Sequence, residues 1–86
     1  MNDNYPTSDT PLAAYLYLEG FKITDIDYSD PRAEFLFIDS TELQDAIRLF
    51  SIGKGKVDAK NYARIQRKLM TIVKRQIPWI EGVMNG

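Results

Sequence analysis

The chain contains no cysteine and no histidine. Without cysteine there is no disulfide framework and no thiolate metal site, devices on which small secreted domains often depend, so an intracellular protein is expected. The missing histidine removes the usual general base near neutral pH and the commonest metal ligand. Cys–His and Ser–His nucleophile pairs are likewise excluded. Catalysis would have to rest on carboxylates, lysine or tyrosine, and the expectation is a non-enzymatic protein with no cofactor. Long apolar runs are also lacking: nothing approaches the ~20 residues of a membrane span. Met1 to Asp9 carries two acids and no basic side chain, which fits neither a signal nor a transit peptide. A cytoplasmic protein with no membrane contact is expected.

What the sequence does have is enough apolar material to fold. Of 86 residues, 44% are hydrophobic and 12% aromatic, far from a disordered composition. The length allows one core. The division expected is a mobile tail over 1–8 and a single α+β domain over 9–86. The net charge of −1 conceals an asymmetry. Residues 1–50 hold ten acids against Lys22, Arg32 and Arg48, whereas residues 51–86 hold eight cations against Asp58 and Glu81.

Turn and cap signals divide the chain. Thr10-Pro11 opens a short helix, with Thr10 as cap and Pro11 in the first turn, and Gly20 closes it. Phe21 to Tyr28 alternates imperfectly, with Phe21 and Ile23 on one face and Ile26 and Tyr28 on the other; a bulge near Thr24 or Asp25 reconciles them. Ser29-Asp30-Pro31-Arg32 reads as a turn. Ala33 to Ile38 then forms a second strand that is apolar on both sides. A capping box between Asp39 and Glu42 starts the next helix, which carries Leu43, Ala46, Ile47 and Phe50 at helical spacing and stops at Gly53. After the flexible Lys54-Gly55-Lys56, Asp58 caps the longest helix, which runs to Ile77 before Pro78. The order is helix, strand, strand, helix, helix. Because an isolated hairpin is marginal in water, the helices must cover it or another chain must extend it, and homodimerisation through the second strand is expected.

The long helix has two faces. Tyr62, Ile65, Leu69, Ile72, Val73 and Gln76 fall within an arc of roughly 100°, a core stripe. Lys60, Arg64, Arg67, Lys68, Lys74 and Arg75 occupy an opposite arc of roughly 120°, with no acid among them. Met70 and Ile77 sit on a flank. Three readings of the basic arc stay open. It can meet nucleic-acid phosphates, releasing condensed counterions, with the flexible Lys54 and Lys56 extending the surface. It can be an ordinary solvated face, although such faces usually mix signs because like charges four residues apart repel. It can pair with the acidic half of another subunit, through Asp25, Asp27, Asp30, Asp39, Glu42 and Asp45.

Other candidates are weaker. Asp25, Asp27 and Asp30 form the one acidic cluster resembling a magnesium site, but acids are common near hairpin turns and no metal is expected. Ser51 to Lys56 lacks the first glycine and the final Ser or Thr of a phosphate loop, and it follows a helix instead of a strand. Phe35 and Phe37 could stack bases on a strand, but core is the favoured reading. Trp79, after Pro78, reads as an anchor for the C-terminal segment.

The run Thr7-x-Asp9-x-x-Leu12-Ala13-Ala14-Tyr15-Leu16, then Gly20-Phe21, the strand Phe35-Leu36-Phe37, and Val57-Asp58 with Tyr62, Arg67 and Lys68 resemble a small family of bacterial and phage domains. That family is catalogued as a domain of unknown function, number 5659, and the resemblance covers about Thr7 to Lys74. It brings no reaction, cofactor or functional residue, and it implies a bacterial or phage setting. The function expected is a small binding or regulatory protein contacting DNA or RNA through the basic helix, with Lys54, Lys56, Lys60, Arg64, Arg67, Lys68, Lys74 and Arg75 as contact residues. The alternative is a phage-type protein-interaction or inhibitor module, acting through its acidic hairpin side or by homodimerisation.

Overall fold

In the computed structural model, residues 3–80 and 82–85 are described. Met1 and Asn2 of the expected tail, Glu81 of the expected charge balance, and Gly86 lie outside the described residues. The hairpin forms as its alternation and turn signal suggest, from β2 (Ile23–Asp27) and β3 (Glu34–Ile38). Their antiparallel register shifts between Ile23 and Asp25, the bulge that the imperfect alternation calls for. One extra residue brings Ile23 and Ile26 to the same side, and both are buried. Phe35 and Phe37 are inward at 1% and 0% exposure, so they are core and not a stacking platform.

Residues expected as a mobile tail instead form β1 (Asn4–Thr7), antiparallel to β3, with Tyr5 opposite Phe37 and Thr7 opposite Phe35. Pro6 has no amide to donate, which suits an edge strand. The sheet order is β1-β3-β2. This corrects the expected dimer contact through the second strand: β3 is central, flanked by β1 along Phe35–Ile38 and by β2 along Glu34–Phe37, and so is not an edge strand that another chain could extend. Since β1 and β2 both run antiparallel to β3, they are parallel to each other, and α1 (Thr10–Leu18) is the crossover between them.

Helix α1 is apolar around most of its circumference, with Leu12 through Leu16 all buried. A helix of that kind belongs in the interior, and α1 packs between α2 (Thr41–Ser51) and α3 (Ala59–Lys74) while also touching β1. The architecture is thus α+β, with three helices and a three-stranded antiparallel sheet. Leu16, Phe35, Phe37, Leu43 and Leu69 are among its fully buried side chains. Each such side chain contributes about 1.5–3 kcal/mol by leaving water.

The caps shift by one residue from the sequence reading. Asp9, not Thr10, caps α1 by accepting from the Leu12 amide at 3.1 Å, and the Asp9 amide itself donates to Thr7 Oγ1. Ser40, not Asp39, caps α2 through the Leu43 amide at 3.0 Å, while Asp39 accepts from the Gln44 side chain. Asp58 caps α3 as expected, over a longer 3.4 Å contact. Helix α3 ends at Lys74, short of Pro78, because Gln76 takes a left-handed φ of +53°. The amides of Gln76 and Ile77 then fold back onto the carbonyls of Val73 and Ile72, so Gln76 closes the helix and does not join the core stripe.

Candidate nucleic-acid interface

The two faces of α3 follow from its sequence spacing. Ile65, Leu69 and Ile72 are buried, and Tyr62 and Val73 pack against the same core. The Tyr62 hydroxyl donates to the Pro11 carbonyl at 3.1 Å, fixing the start of α3 to α1. At the other end, the Tyr28 hydroxyl lies 2.7 Å from the Ile77 carbonyl and 3.2 Å from that of Ile72. With these anchors made, the opposite side of α3 has one orientation, facing away from the core. Burial raises the pKa of both phenols, with smaller contributions from the Asp25 carboxylate at Tyr28 and Asp9 at Tyr62; a Gln66 hydrogen bond partly opposes the rise at Tyr62.

On that outward side Lys60, Arg64, Arg67, Lys74 and Arg75 are exposed, and among the described residues none has a carboxylate within 4 Å. The ion pair found among the described residues is Arg48–Asp45, on α2. Lys68 differs: it is half-buried, and its Nζ donates to the Met84 carbonyl at 2.6 Å. That bond ties the short 3₁₀ turn Val83–Asn85 to α3. Arg64, Arg67, Lys68, Thr71 and Arg75 line a groove of about 490 Å³, whose apolar side is Ile72, Ile77 and Val83. Seven-residue spacing sets Lys60, Arg67 and Lys74 in a second row, about 10 Å apart along the helix.

The remaining contact residues named from the sequence stand apart. Lys54 and Lys56 are exposed on the loop before α3. That loop is tied down: the Lys54 and Gly55 amides both donate to the Leu49 carbonyl. Lys56 borders a hollow that also holds Glu19 and Asp58, so its surroundings are partly acidic. Sequence reasoning missed the groove's apolar wall, because Ile77 and Val83 reach α3 only through the turn at Gln76. The signal available was the apolar residues on either side of Pro78.

The acidic candidates make local contacts. Asp25 accepts from the Ile26 amide and Asp27 from the Ser29 amide. The bonds from Ser29 hold the Asp27 carboxyl below its ordinary pKa. Among the described residues no group of three or more acids could hold a metal ion, and no helix is long and apolar enough to cross a membrane.

No curated protein and no solved structure matches the chain. One family model does, over residues 2–75, a span that takes in the sheet, the three helices and the C-terminal cap of α3. The chain therefore belongs to the family described as Domain of unknown function (DUF5659).

Proposed function

We propose that the chain is a non-enzymatic binding protein that contacts nucleic-acid phosphates through the outward face of α3. The observation that carries this reading is the set of five exposed cations, Lys60, Arg64, Arg67, Lys74 and Arg75, with no carboxylate partner among the described residues. Five like charges on one helix face repel one another modestly, and a polyanion relieves that repulsion while giving up its own counterions. Lys68 plays a different part: its bond to the Met84 carbonyl positions the groove wall.

The test is equilibrium binding to random-sequence DNA and RNA at ~50 mM salt, where several phosphate contacts are strong. The combined variant Lys60→Glu, Arg64→Glu, Lys74→Glu is expected to abolish binding and to leave the circular-dichroism spectrum unchanged. All three side chains are exposed, so the core is untouched. Absence of wild-type binding under these conditions rejects the proposal.

A further inference from the structure

The basic groove is not the only cavity against the C-terminal segment. On that segment's other side, Tyr17, Lys22, Ile23, Thr24, Trp79, Gly82 and Met84 line a pocket of about 450 Å³. The two cavities share a wall: Ile77 and Val83 face the groove, and Trp79, Gly82 and Met84 face the pocket. Lys68 fixes that wall through the Met84 carbonyl. The pocket has two aromatic side chains, a cation and the Thr24 hydroxyl, and its volume is ordinary for a small-molecule site. Tyr17 and Trp79 form no ring pair with each other; the ring pair found among the described residues is Tyr15–Phe50. Both are half-buried, so each keeps some surface accessible.

An anionic groove ligand and an aromatic pocket lined by the same C-terminal segment suit a polymer that carries phosphates and flat rings alternately. We infer that the ligand of the basic face is a single-stranded nucleic acid, its phosphates along Arg64, Arg67 and Arg75 and one base held against Trp79. This rests on the reading of α3 given above and narrows it. A duplex satisfies the cations but keeps its bases stacked inside, out of reach of Trp79. Single strands pair a basic track with aromatic stacking, and stacking tolerates any base because every base has a π-face. Sequence-tolerant binding follows.

Trp79 is the single tryptophan of the chain, so its emission reports the pocket directly. Wild-type protein is titrated with a short oligothymidylate, a duplex of equal length and inorganic polyphosphate, following both binding and Trp79 fluorescence. The oligothymidylate is expected to bind tightest, to quench Trp79 and to shield it from acrylamide. Trp79→Leu is expected to weaken single-strand binding by about 5- to 150-fold, the loss measured when a stacking aromatic is truncated, with polyphosphate binding unchanged and Trp79→Phe largely retaining affinity. If Trp79→Leu fails to fold, the acrylamide shielding of the wild type decides the matter. Equal binding of all three polyanions with unaltered Trp79 emission overturns this inference and leaves the basic-face reading standing. Quenching by polyphosphate as strong as by the oligonucleotide also overturns it. Failure of all three to bind overturns both.

Discussion

Gly55 has no left-handed backbone to explain it, yet a side chain there runs into the Tyr15 ring. A β-carbon placed there lies 2.7 Å from Tyr15 Cε1, 2.8 Å from Cζ and 3.0 Å from the hydroxyl oxygen. Neither partner can retreat easily. Tyr15 is 2% exposed and its ring packs on Phe50 at a centroid distance of 5.1 Å, while the Gly55 amide is held by the Leu49 carbonyl at 3.1 Å. Gly55→Ala forces an overpacked contact that costs about 1–3 kcal/mol. Stiffening the unfolded chain returns about 0.4–1 kcal/mol, which leaves a net loss of about 1–2 kcal/mol. For a chain of this size that lowers Tm by roughly 5–15 °C. Urea and thermal denaturation followed by circular dichroism measure it. The cause is isolated by a cycle with Tyr15→Leu, which removes the obstructing ring; the Gly55→Ala cost should then fall by about 1 kcal/mol or more. A Gly55→Ala protein within about 0.5 kcal/mol of wild type, a change typical of an uninvolved surface site, or strict additivity in the cycle, refutes the reasoning.

Tyr28→Phe removes the hydroxyl shared by the Ile72 and Ile77 carbonyls and is expected to cost about 1 kcal/mol in urea denaturation. Among the caps, Ser40→Ala and Asp9→Ala should each cost about 1 kcal/mol and Asp58→Ala less, because its contact is 3.4 Å and exposed; denaturation midpoints give the order. Tyr15, Tyr28 and Tyr62 all have pKa values raised by folding, so the folded state holds their protons more tightly than the unfolded one. Their contribution is full below pH 10 and is lost as pH climbs through the raised values, and the alkaline loss of stability should be shallower in the Tyr28→Phe, Tyr62→Phe protein.

Much of the helical layer was legible because its signals are local. Gly20 and Gly53 have positive φ and end α1 and α2, Asp58 caps α3, and the apolar stripe of α3 is buried as its period requires. The hairpin and its bulge followed from alternation. Strand β1 was not legible: Asn4-Tyr5-Pro6-Thr7 has one large apolar residue and a proline, and it becomes a strand only by pairing with β3 some thirty residues later. The cap shifts at Asp9 and Ser40 are one-residue choices among adjacent polar side chains, which differ little in propensity. The cations of α3 could be grouped from periodicity alone. The groove and the Trp79 pocket could not, since both depend on the left-handed turn at Gln76 bringing Ile77, Trp79, Gly82, Val83 and Met84 back beside α3, β2 and the end of α1.

The most direct test of α3 as a phosphate-binding face is a salt titration of single-strand affinity. With five exposed cations each neutralising one phosphate, log K should fall linearly with log salt at a slope of about −3.5. Each cation converted to glutamine should reduce that slope by about 0.7. A slope near zero, or one that the glutamine variants leave unchanged, contradicts the assignment of α3 as the binding face.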